Sequence, residues 1–153
     1  MWTREQMIRL ACEEKLLQQQ LPRFSFYDYS GSTYIMGWES PPNTWDQYCL
    51  RLPIAANFPF EEPELLVTHP SPLYTLSGTE VVQSGSHDFH TRGCNEQGHL
   101  KICHCPPGTW DASKTCFSVL FKGILWVHAY ERHLRTGQTI EEGYQEYERR
   151  LRQ

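Results

Sequence analysis

The sequence predicts an α+β domain, on three observations. Apolar residues recur at helical spacing near both ends of the chain. Three segments between residues 24 and 52 alternate between apolar and polar positions, and turns rich in Gly, Pro or Ser separate them. Together these patterns describe an N-terminal helix, a four-stranded antiparallel meander, a loop carrying cysteines and two C-terminal helices, in one domain over residues 1–153.

The leading helix is expected over residues 3–20, with Thr3 as N-cap and Gln6 three residues on. Met7, Leu10, Ala11, Leu17 and Leu21 fall at helical spacing, and Pro22 ends the run. Phe24 to Tyr29 and Thr33 to Trp38 alternate on either side of Ser30-Gly31-Ser32, the pattern of a hairpin with one buried face. After Pro41-Pro42-Asn43 a third strand is expected from Trp45 to Leu52. It would place Trp45, Gln47 and Cys49 on one face and Tyr48, Leu50 and Leu52 on the other. Residues 58–63 hold too much proline for regular structure and read as a packed connection into a fourth strand, Glu64 to Thr68.

Residues 73–98, rich in Ser, Gly and Thr, read as a long functional or mobile loop. From Ser113 the pattern is helical again, with Val119, Leu120, Ile124, Leu125, Val127 and Tyr130 on a buried side and Thr136-Gly137 closing it. A last helix, Thr139 to Leu151, opens with Glu141 and Glu142 and is followed to its end by Arg149, Arg150 and Arg152, an order that suits the helix dipole. The arginines read as a solvated face or as a patch for an acidic partner.

Composition narrows the function classes. A net charge of -4 and a pI near 6.0 provide no electrostatic reason to expect nucleic acid or an anionic membrane as partner. No run approaches the roughly 20 apolar residues of a membrane span, and the N-terminus has no secretory apolar region, so a cytoplasmic protein is expected. In that compartment Cys12, Cys49, Cys94, Cys103, Cys105 and Cys116 read as thiols, nucleophiles or metal ligands, not as a disulfide framework.

The segment His99 to Trp110 concentrates the reactive groups. Pro106-Pro107-Gly108 cannot continue a strand, so Leu100 to Ile102 can pair only briefly and the cysteines stand at the lip of a loop. There Cys103 is either a buried apolar thiol or an exposed nucleophile whose thiolate is favoured by His99, Lys101 and His104.

Tyr48-Cys-Leu-Arg-Leu-Pro53 and the following Asn57 to Val67 resemble the third strand and Pro-Phe turn of the ubiquitin-conjugating-enzyme (UBC) fold. Ile102-Cys103 followed by Trp110 to Thr115 is similar to that family's catalytic cysteine and the segment opening its next helix. Gly98 to Pro107, Trp110, Gly123-Ile-Leu-Trp126, Tyr130-Glu131 and Gly137 resemble the bacterial members of CBASS antiphage operons, in which the conjugating-type domain serves a cGAS-like cyclic-nucleotide synthase.

The resemblance implies an acyltransferase that carries a partner protein's C-terminus as a thioester on Cys103 and passes it to a lysine amine. Lys15, Lys101, Lys114 and Lys122 are the lysines of this chain. No metal and no nucleotide cofactor of its own is implied. The partner is a cGAS-like synthase or a ubiquitin-like protein. The chain is too short to carry an activating domain, so activation comes from a separate enzyme, or the protein acts on its partner's C-terminus without one.

The family's His-Pro-Asn is absent, because residues 93–95 read Gly-Cys-Asn. His90 and Asn95 are the candidates for loop support or oxyanion stabilisation, or else plain loop hydrogen-bonders. Cys105 reads as a second thiol, a resolving cysteine or a passive neighbour. The alternatives are a conjugating enzyme of a bacterial ubiquitination-like pathway, an inactive UBC-fold adaptor, and a structural zinc module built from Cys94, His99, Cys103 and Cys105 with His90 and His104 nearby.

Overall fold

A computed structural model describes all 153 residues. Helix α1 (Arg4–Gln20) leads into β1 (Ser25–Tyr27), β2 (Tyr34–Glu39), β3 (Tyr48–Pro53) and β4 (Leu65–His69). A 3-10 turn (Val81–Gln83), the short α2 (Ser86–Phe89), β5 (Thr91–Cys94) and β6 (Leu100–Ile102) follow, then α3 (Cys116–Thr136) and α4 (Ile140–Leu151). The six strands form one antiparallel sheet in the order β1-β2-β3-β4-β6-β5. The α+β class and the helix–sheet–helix order stand, but the sheet has six strands where four were expected. The extra pair is the β5–β6 hairpin, laid against β4 through Leu65 opposite Ile102.

Local chemistry accounts for the helix ends. Thr3 and Gln6 exchange side-chain and backbone bonds in a capping box, and Thr139 and Glu142 repeat it on α4. Thr115 caps α3, and Gly137 ends it in the left-handed conformation that glycine adopts without Cβ strain. In α1, Leu10 and Leu17 are buried as expected, whereas Met7 and Ala11 are exposed and Glu13 lies inside. A buried carboxylate needs partners, and Glu13 has them: Arg9 Nε donates to it at 2.8 Å and Cys116 N–H at 2.8 Å. The third strand is shorter than expected, since pairing starts at Tyr48 and Trp45 stands fully exposed.

One core joins α1, the sheet and α3, with Trp126, Leu120, Ile35, Leu50, Leu52 and Leu65 at its centre. Each such side chain contributes about 1.5–3 kcal/mol on leaving water. Close approach is required at Gly123 of α3, where an added Cβ would come within 2.9 Å of Leu65 Cδ2.

Residues 73–98 are not a featureless loop. Leu73, Val81 and Phe89 enter the core. Residues of α3 tie the segment down: Trp126 Nε1 donates to Phe89 O at 2.8 Å, Tyr130 Oη to Tyr74 O at 2.6 Å, and His133 Nε2 accepts from Leu76 N–H at 3.0 Å. No helix is long and apolar enough to cross a membrane.

Candidate active site

The β5–β6 register decides which residues meet Cys103. Thr91 lies opposite Ile102, so the residue before β5 and the residue after β6 are neighbours at the open end of the hairpin. These are His90 and Cys103, and Cys103 N–H donates to His90 O at 2.8 Å. His90 also caps the C-terminus of α2 at φ 50° and ψ 52°, a left-handed conformation uncommon for a residue with a Cβ and frequent where a side chain is held for use.

The first turn of α4 completes this wall. His90 Nε2–H donates to the Glu141 carboxylate, and the Tyr144 ring packs on the imidazole with centroids 4.9 Å apart. Nε2 is thereby engaged by a carboxylate, which leaves Nδ1 as the free ring nitrogen. The hydrogen bond to His90 is the largest cause holding the Cys103 thiol below its ordinary value; burial opposes it, and the charge and hydrogen bond of Arg92 add to it. The same contact raises His90 above the ordinary imidazole value, against burial and with help from Glu141. Glu141 is held below the usual carboxylate range, chiefly by its bond to His90. Cys103, His90 and Glu141 thus lie in the order that a nucleophile, a base and an orienting carboxylate would take, supplied by the end of β6, the end of α2 and the start of α4.

The opposite wall comes from the proline-rich connection and β5. Arg92 Nη1 donates to Glu62 Oε1, and Nη2 donates to Cys105 O at 2.5 Å. The Cys103 thiol donates to that same carbonyl at 3.1 Å. His104 is buried, donates from Nε2 to Pro63 O at 2.7 Å, and meets Trp110 edge-on at 5.8 Å; burial pushes its pKa down. Trp110 Nε1 donates to Pro59 O at 3.0 Å, and Arg9 of α1 donates to Ala112 O and Lys114 O at 2.6 and 2.7 Å. The cysteine turn therefore rests on a fixed backing of connection and helix.

Several expectations change. Asn95 is not brought to Cys103: it sits at the closed end of the hairpin, where its Oδ1 accepts from Gln97 N–H at 3.1 Å and His99 N–H at 2.8 Å. It is a turn former. The thiolate is favoured by His90 and Arg92 in place of His99, Lys101 and His104, since Lys101 pairs with Glu64 at 2.8 Å and His104 is buried and turned to Pro63. The proposed zinc set does not gather either, because Cys94 and His99 flank the turn while Cys103 and Cys105 lie at the other end.

One other group could approach a metal: Glu62, His104 and Cys105 place ligand atoms within 4.8 Å of one another. The fit is poor. Arg92 already occupies Glu62, Pro63 O holds His104 Nε2, and burial followed by the Glu62 carboxylate pushes the Cys105 thiol up, away from the thiolate a metal needs. Arg92, Glu62, Glu141 and Tyr144 have no sequence signal near Cys103, lying 11 to 41 positions away.

Compared with protein-family models, curated proteins and solved structures, the chain matches none.

Proposed function

We propose that this protein is a ubiquitin-conjugating-like acyltransferase with a UBC-like fold, acting in the cytoplasm of a bacterium in CBASS antiphage defence. Cys103 carries the C-terminal carboxyl of a partner protein, a cGAS-like cyclic-nucleotide synthase, as a thioester and transfers it to a lysine amine. The observation that carries this reading is the Cys103–His90–Glu141 arrangement, which places a partly exposed thiol of lowered pKa beside an imidazole and a carboxylate at the lip of a loop.

The mechanism follows from the two walls. His90 takes the Cys103 proton, and Glu141 holds the resulting imidazolium in place. The thiolate attacks the acyl carbon, forming the C–S bond. If the acyl group comes from a peptide bond near the partner's C-terminus, the C–N bond breaks and the imidazolium gives its proton to the leaving amine; if a separate activating enzyme delivers it as a thioester, that enzyme's thiolate leaves instead and takes the proton. In the second half a lysine amine attacks the thioester, the C–N bond forms, Cys103 thiolate leaves, and the amine's surplus proton passes through His90 to water.

Intact-protein mass spectrometry after co-expression with the cyclic-nucleotide synthase tests this. The expected result is a covalent adduct that is lost in Cys103→Ala and kept in Cys105→Ala. Absence of any adduct in all three proteins, with the synthase present and folded, sinks the enzymatic reading and leaves a binding adaptor.

A further inference from the structure

We infer that Arg92 is a further catalytic residue, whose guanidinium donates to the acyl carbonyl oxygen on Cys103 as that oxygen becomes negatively charged. The inference rests on the acyl-carrier reading above and deepens it.

Both acylation of a thiol and aminolysis of a thioester pass through a tetrahedral centre. The bond to carbon forms, the C=O π pair moves onto oxygen, and collapse of that oxyanion expels the leaving group. A preorganised donor aimed at this oxygen is worth more than any other single contact. Several groups near Cys103 are not placed for this: Cys103 N–H is bonded to His90 O, His90 Nε2 is bonded to Glu141, and Asn95 stands at the far turn with its Oδ1 accepting from Gln97 and His99 N–H.

Arg92 is different. Its Nη2 and the Cys103 sulfur meet on one atom, Cys105 O, at 2.5 and 3.1 Å, so guanidinium and nucleophile are neighbours. Glu62 grips Nη1, which fixes the plane of the fork before any substrate arrives. A guanidinium carries five N–H groups, and these two contacts leave the others for a substrate oxygen. The side chain is about a third exposed, at 30%, so an acyl group on Cys103 can reach it. Its influence on the Cys103 thiol agrees with this closeness.

A merely structural Arg92, or one that acts only by favouring the thiolate, is separable by experiment. Iodoacetamide alkylates a thiolate by direct displacement, with no oxyanion, whereas 4-nitrophenyl acetate acylates it through one and releases 4-nitrophenolate. Both reactions are followed at Cys103 by peptide mass spectrometry, at a pH where the thiol is fully ionised, in wild type, Arg92→Gln, Arg92→Lys and Cys103→Ala. The expected result for Arg92→Gln is an alkylation plateau within about twofold of wild type and an acylation plateau lower by about 10- to 100-fold, with Arg92→Lys between. A parallel fall in both plateaus, or unchanged acylation, overturns the role of Arg92 while leaving the acyl carrier intact. Wild type that is alkylated at Cys103 but acylated no faster than background defeats the acyl-carrier reading, and the inference with it.

Discussion

Cys103 and Cys105 share one turn and comparable exposure, yet the two sides of that turn treat a thiol in opposite ways. On the His90 side a hydrogen-bonding imidazole and a guanidinium lower the Cys103 thiol. On the Glu62 side burial and a carboxylate raise the Cys105 thiol, with Cys105 Sγ 3.5 Å from Glu62 Oε1. Arg92 sits between them with its charge partly answered by Glu62, so the cation serves one cysteine and the anion burdens the other. Position in the sequence decides neither outcome: for Cys103 the hydrogen bond to His90 outweighs burial, whereas for Cys105 burial leads and the Glu62 charge adds to it.

The largest effect that would break this contrast is loss of the nucleophile. Cys103→Ala should abolish acylation at this turn, while Cys105→Ala should retain at least about half the wild-type rate, read as acetyl adduct per peptide after 4-nitrophenyl acetate. An active Cys103→Ala protein with the label on Cys105 would invert the assignment.

Next in size is His90→Ala, expected to slow acylation by about 10²–10⁴-fold near neutral pH and to return the Cys103 titration toward the ordinary thiol value. The sign follows from linkage. A lowered thiol stabilises the fold above its unfolded value and loses that contribution as pH falls through its folded value. A raised imidazole stabilises below its unfolded value and loses its contribution as pH rises through its folded value. Urea melts across pH should show the imidazole contribution fading on the alkaline side and the thiol contribution fading on the acid side, with both reduced in His90→Ala.

Glu141→Gln should cost less, about tenfold in acylation, because Glu141 acts only through His90, at the lower end of what loss of an orienting partner costs a metal-bound histidine. A smaller pH shift than in His90→Ala distinguishes it as a positioning residue. Least of all, Glu62→Gln should leave the Cys103 rate within about fivefold while making Cys105 alkylate a few-fold faster at pH 8, since the anion beside it is gone.

Whether a feature is legible in the sequence depends on the range of the interaction that makes it. The capping box at Thr3 is local and was legible from residues three apart, whereas Thr139 and Glu142, which form the same box, were read only as an acidic first turn. The cysteine-bearing lip was legible too, because Pro106 and Pro107 must end β6. The β5 strand was not, since Thr91-Arg-Gly-Cys94 has no alternation and owes its conformation to pairing with Leu100–Ile102. Residues 73–98 read as a functional or mobile loop, but Trp126, Tyr130 and His133 hold them from α3, and such ties leave no trace in local pattern. His90 was within sight of Cys103 in the sequence, and the hairpin register made it a neighbour. Asn95 was equally near, but the same register carried it to the closed end. Glu141 came from α4, whose acidic first turn read as a dipole device alone.

The most direct measurement is alkylation of wild-type protein by iodoacetamide from pH 5 to 10, quantified separately on Cys103 and Cys105 by peptide mass spectrometry after a short pulse. The predicted result is two separated curves, with Cys103 reaching half its plateau below the ordinary thiol value and Cys105 above it. Coincident curves at the ordinary value, or Cys105 reacting at the lower pH, would contradict the central claim that His90, Glu141 and Arg92 activate Cys103 alone.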